Sequence, residues 1–131
     1  LALGAMRLGL RWSAIARRME QHVRAAGCAM VAAASGVTGH GVGRELWEAP
    51  VVPNVVARQY PDFTLEAGMV IAVEPMVNLG TSRVRLLDDG WTIVSQDGTP
   101  SAHFEHTIAI MPEGPQVLTA GPAGQGWALP F

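Results

Sequence analysis

The sequence predicts an α+β domain, with a helix packed on an antiparallel sheet. Three observations predict it. An amphipathic helical pattern occupies residues 13–26, an apolar run fills Val70–Val77, and the second half alternates strand-like segments with Gly- and Asp-containing turns. Hydrophobic residues make up 49% of the 131 and charged residues 15%, enough to bury one core and too short a chain to call for two. All basic residues are Arg, nine against eleven acids, and the net charge of −2 offers no drive toward nucleic acid or an anionic membrane. Cys28 is the single cysteine, so no internal disulfide can form, which points to a reducing cytoplasm. No apolar run approaches the roughly 20 residues needed to cross a bilayer. Leu1–Leu10 also lacks the basic segment that opens a signal peptide.

Taken in order, Leu1–Leu10 reads as the tail of an element that begins before the chain does. With Leu rather than Met at position 1, this suggests a piece of a longer protein. Ser13 is the expected N-cap of the helix, whose apolar stripe is Ile15, Met19, Val23 and Ala26. Arg17, Arg18, Gln21 and Arg24 face the other way, and Gly27 is the expected stop. His22, at the stripe's edge, is assigned no chemistry. Ala29–Ala34 reads as a short strand. In Thr38–Arg44 glycines alternate around His40, which suggests a loop with space cleared for the imidazole. A dinucleotide loop is disfavoured there, because the third Gly comes one residue early. Pro50, Pro53 and Pro61 make 45–66 an irregular, extended connection.

Val70–Val77 is expected to be a buried strand in which only Glu74 can ionise. Burying that charge costs several kcal/mol unless a partner meets it. A helix cap, an Arg salt bridge, a neutral carboxyl and a metal ion would each serve. Pro75 has no N–H for a ladder, so regular pairing must break beside Glu74. Asp88-Asp89-Gly90 reads as the turn of a hairpin between Arg83–Leu87 and Trp91–Ser95. The two aspartates could also bind a cation, although a solvated turn is the simpler reading. Ala102–Ile110 alternates as one strand, with Phe104, His106, Ile108 and Ile110 on one face and His103, Glu105 and Thr107 on the other. A short strand at Val117–Thr119 closes the domain, 1–119, and 120–131 is expected to be a flexible tail.

His40, Glu74 and Glu105 thus stand out as one imidazole and two carboxylates, donors that Mn, Fe, Co and Zn accept. The surrounding residues carry a resemblance. Gly39–Arg44, Pro53-Asn54, Gly68–Val70, Glu74–Val77, Asp89–Thr92 and Ser101–Thr107 resemble, in this order and spacing, the type I methionine aminopeptidases. The resemblance covers about residues 4–120. It implies the C-terminal half of the pita-bread fold, in which a helix packs on a curved antiparallel sheet. The implied cofactors are two divalent metal ions, Co, Mn, Fe or Zn. Metal ligands would be His40, Glu74 and Glu105, with Glu74 also the general base, while Trp91 and Leu46 would lie near the pocket for the methionine side chain. The implied activity is cytoplasmic removal of the initiator Met from the N-terminus of nascent polypeptides.

Two departures accompany the resemblance. The family's two aspartate ligands and one substrate histidine belong to an N-terminal half not found in this sequence, so that half becomes an expected partner. Trp47 stands where the family places a second substrate-contacting histidine. Indole can donate one hydrogen bond but cannot carry a proton near neutral pH. A non-catalytic peptide- or protein-binding module of the same fold is therefore the alternative reading.

Overall fold

The computed structural model describes residues 1–121. Its elements are α1 (Ala2–Ala5), α2 (Trp12–Ala25), β1 (Ala29–Met30), β2 (Gly39–Gly41), β3 (Glu48–Val52), β4 (Val70–Val73), β5 (Met76–Asn78), β6 (Val84–Leu86), β7 (Ile93–Ser95), β8 (Ser101–His103), β9 (His106–Met111) and β10 (Gly114–Val117). All strand pairs are antiparallel, in a five-stranded sheet ordered β10-β9-β4-β2-β3, a three-stranded sheet β1-β5-β8 and the hairpin β6-β7. The α+β architecture expected from the sequence is therefore present. The expected tail falls almost wholly on residues 122–131, outside the described residues.

The helix α2 forms for the anticipated reason. Its apolar face buries Trp12, Ile15, Ala16 and Met19 against Met30, Val52, Leu65, Ile71, Val73, Ile108 and Ile110. Ala26, expected in the stripe, is exposed at the helix end. Gly27, at φ +75°, terminates the helix: its N–H bonds to the Arg24 carbonyl (3.0 Å) and the Cys28 N–H to that of Val23 (3.1 Å), a Schellman cap.

The N-terminus of α2 is capped differently from the expectation. Arg11, not Ser13, is the capping position, and its own side chain makes no cap bond. The carboxylate of Asp62 instead accepts from the Ser13 amide (3.0 Å), the Ser13 hydroxyl (2.7 Å) and Arg11 Nε (2.9 Å). A distant acid thus meets both the orphan amide and the positive end of the helix. The same junction stacks Trp12 on Phe63, with centroids 5.8 Å apart, and Trp12 Nε1 donates to the Pro53 carbonyl at 2.7 Å.

Further expectations change: the strand expected over Ala29–Ala34 keeps only β1, and Ala33–Ser35 forms a 3-10 turn instead. His40 lies within a strand, β2, rather than in a loop, and Gly39 and Gly41 allow the neighbouring backbones to approach it. A Cβ on Gly39 would strike the Ala72 carbonyl, and one on Gly41 the Ala49 carbonyl. Part of the irregular connection 45–66 pairs as β3, with Pro50 tolerated because β3 is an edge strand. The closing strand begins at Gly114 rather than Val117, again as a sheet edge. Val70–Val77 breaks at Glu74-Pro75 as Pro75 requires, but Ala102–Ile110, expected as one strand, also breaks, at Phe104-Glu105, and each passes from one sheet to the other at its break.

Burial raises the pKa of Asp62, but the Ser13 hydroxyl and amide and the Arg11 guanidinium outweigh it and hold the carboxyl below its usual 3.8. A depressed carboxylate contributes stability above its unfolded pKa and loses it as pH falls through the folded value. Asp62→Ala should lower stability at pH 7 by about 1 kcal/mol in urea unfolding. The gap between wild type and variant should close below pH 3.8.

Candidate metal centre

The site begins with the two broken strands. β4 and β9 pair with Val73 opposite His106, and β5 and β8 with Met76 opposite His103. These registers continue one another with no slip, so Glu74 faces Glu105 and Pro75 faces Phe104 across the break. The Phe104 N–H donates to the Pro75 carbonyl at 3.3 Å, which holds the two breaks together. Residues opposite one another on antiparallel strands project to the same face, and like charges there repel. The other face, with Ile71, Val73 and Ile108, joins the core beneath α2.

His40 reaches the carboxylates from β2. It pairs with Ala72, two residues from Glu74 on the same face of β4. Ala72 has only a methyl group, which leaves the imidazole room. His40 Nδ1 donates to the Gly41 carbonyl at 2.9 Å, so in the neutral ring Nε2 is a bare lone pair. That atom faces Glu74 Oε1 at 3.6 Å. Two acceptors facing each other repel unless a proton or a metal ion lies between them, and 3.6 Å exceeds the roughly 2.7–2.9 Å of a charge-assisted hydrogen bond. Donor atoms of His40, Glu74 and Glu105 all lie within 4.8 Å of one another, the one such group of three among the described residues. The donor set fits a divalent ion.

The surroundings hold Glu74 in place. The Asn54 amide, itself buried, donates to the Glu74 carbonyl at 3.0 Å and satisfies the backbone where Pro75 interrupts the ladder. Burial, then the charge of Glu105, raises the Glu74 pKa above its usual 4.5, and the imidazoles of His103 and His40 pull against them. Asp88 and Asp89 take no part. Asp89 accepts from the Trp91 and Thr92 amides and the Thr92 hydroxyl, which closes the β6–β7 turn around Gly90 at φ +70°.

A cavity of about 880 Å³ opens beside Glu74, between the sheets and the β6–β7 hairpin. His40, Glu74, Trp47 and Trp91 line it with Val84, Leu86 and Ile93. Trp47 sits edge-on to the His40 ring, centroids 6.1 Å apart, and is 73% exposed. Trp91 is 87% exposed. Leu46 is exposed, and neither it nor Glu105 lines the cavity; Glu105 lines a separate apolar groove beside Met19 and Val23 of α2. Sequence reasoning passed over His103, whose Nε2 lies 3.4 Å from Glu74 Oε2. Its shared parity with Glu105 was the available signal.

The chain is similar to known proteins over most of its length. A sequence model described as metallopeptidase family M24 matches residues 1–112. The methionine aminopeptidase of Clostridium perfringens is 49% identical over 109 residues, covering 83% of this chain and 42% of that protein. The crystal structure of methionine aminopeptidase from Thermotoga maritima superposes with a TM-score of 0.81 at 39% identity, over 90% of this chain and 46% of that one. That from Rickettsia prowazekii gives 0.81 at 31% identity, with the same coverage. The chain thus spans less than half the length of these relatives.

A raised carboxyl favours the folded state at low pH and loses that contribution as pH climbs through its folded pKa. Glu74→Gln should therefore stabilise the metal-free chain at pH 7. Co(II) at about a hundredfold excess over its dissociation constant should add about 2.7 kcal/mol to the wild type, most of it lost in the variant. Thermal unfolding with and without the ion reads both effects.

Proposed function

The chain belongs to metallopeptidase family M24, and we propose that it forms the C-terminal, metal-binding half of a methionine aminopeptidase that removes the initiator Met from nascent chains in the cytoplasm. The observation that carries this reading is the convergence of His40, Glu74 and Glu105 donor atoms within 4.8 Å. Divalent ions held by these residues, two of Co, Mn, Fe or Zn in the complete domain, would acidify a water and polarise the scissile carbonyl. Glu74 is the proton acceptor, and its raised pKa brings it toward the operating range of a general base. The walls of Val84, Leu86, Ile93, Trp47 and Trp91 suit an unbranched thioether side chain. Leu46, exposed in the turn before β3, is not part of these walls. The N-terminal half of the domain is the partner that supplies the remaining ligands.

Trp47 bears on rate. A positioned donor at this place is worth about 2.7–4 kcal/mol of barrier, or about 10²–10³ in kcat. A second reading, a peptide-binding module without turnover, is favoured by Trp47 alone.

The chain by itself should release no Met from a Met-Gly peptide in Co(II) or Mn(II). In the complete protein Trp47→His should raise Met release by about 10²–10³. If both forms of the complete, metal-loaded protein bind the peptide but free no Met, the aminopeptidase reading fails and the binding module stands.

A further inference from the structure

We propose that His103 is a second imidazole ligand of the metal centre, holding a borderline divalent ion on the Oε2 side of Glu74. The proposal rests on the metal-centre reading above and adds a donor that faces Glu74 from outside the His40, Glu74 and Glu105 group. The Glu74 carboxylate lies between two rings, with His40 Nε2 3.6 Å from Oε1 and His103 Nε2 3.4 Å from Oε2. Both separations exceed the roughly 2.7–2.9 Å of a charge-assisted hydrogen bond. They approach the edge of a tetrahedron with bonds of 2.0–2.1 Å, roughly 3.3–3.4 Å, the spacing of two ligands that share a Zn-like ion.

The backbone places His103 for this role. It is the last residue of β8, opposite Met76 and two residues before Glu105. β8 is anchored by the Ser101 hydroxyl, which donates to the buried Asn78 side chain at 2.7 Å, and by the Leu79 N–H to the Pro100 carbonyl at 2.9 Å. The His103 side chain is 49% exposed and lines the cavity, so an ion can reach it from solvent. One imidazole with two carboxylates accepts Mn as well as Zn, whereas a second imidazole favours Co and Zn. The ion class implied is therefore a nitrogen-seeking one.

Isothermal titration of the full chain with Co(II) and Mn(II) tests this, with hyperfine-shifted imidazole N–H signals in the proton NMR spectrum of the Co(II) form as a second readout. His103→Ala should weaken Co(II) at least tenfold and Mn(II) less than threefold, and the shifted signal of one ring should vanish. His103→Gln keeps a polar side chain of similar reach and should behave the same way, which separates ligation from packing if the alanine variant folds poorly. Unchanged Co(II) affinity and unchanged ring signals in either folded variant would overturn the assignment while leaving His40, Glu74 and Glu105 in place. Full rescue by Gln would also overturn it. A wild-type chain that binds neither ion would overturn the metal centre itself, and this ligand with it.

Discussion

The structure depends on one confrontation, that of Glu74 with Glu105 across two strands broken at the same level. Each strand alone accommodates its break, since Pro75 cannot donate and the Phe104 amide turns to the Pro75 carbonyl. What the pair cannot accommodate unaided is two carboxylates facing one another with Glu74 mostly out of water, its side chain 16% exposed. The imidazoles at 3.4 and 3.6 Å offset part of this, and a divalent ion would offset the rest. The fold therefore keeps a destabilising contact at the place where a cation is useful.

Everything else in the domain serves to keep that level fixed. The core beneath α2 grips the inner face of β4 and β9 through Ile71, Val73, Ile108 and Ile110, so neither strand can slip by one residue without turning its apolar set outward. Asn54 secures the Glu74 carbonyl, and Gly39 and Gly41 let β2 close onto β4 so that His40 arrives at the right height. Asp62 ties the start of α2 to the segment before β4. Rigid supports surround a site whose own members are only partly buried. The aromatic walls of the cavity are different: Trp47 and Trp91 stand largely exposed, and the residues beneath them are fixed by turn hydrogen bonds such as those of Asp89.

The three candidate donors stood out in the sequence by their contexts: a carboxylate in an apolar run, an imidazole among glycines, an acid in an alternating strand. Helix α2 was legible from its stripe and from Gly27. His103 was not picked out, because its exposure gives it no local signature and only the β5–β8 register carries it to Glu74. Asp62 as a cap was invisible for a similar reason, since it meets Ser13 across 49 positions of chain. The breaks inside Val70–Val77 and Ala102–Ile110 were half visible: Pro75 announced the first, but nothing in Phe104-Glu105 announces the second. It is imposed by the neighbouring strand.

By itself, then, the sequence determined the α+β class, the helix and the membership of a metallopeptidase family, and singled out three candidate donors, because periodicity, buried charge and ordered motifs are local properties of the chain. Tertiary structure alone decided that Glu74 and Glu105 oppose one another, that His40 lies in a strand and that a second imidazole faces the same carboxylate. Those outcomes depend on which strands pair and in what register. Register is set by the summed packing of α2 on the sheet rather than by any stretch of residues read alone.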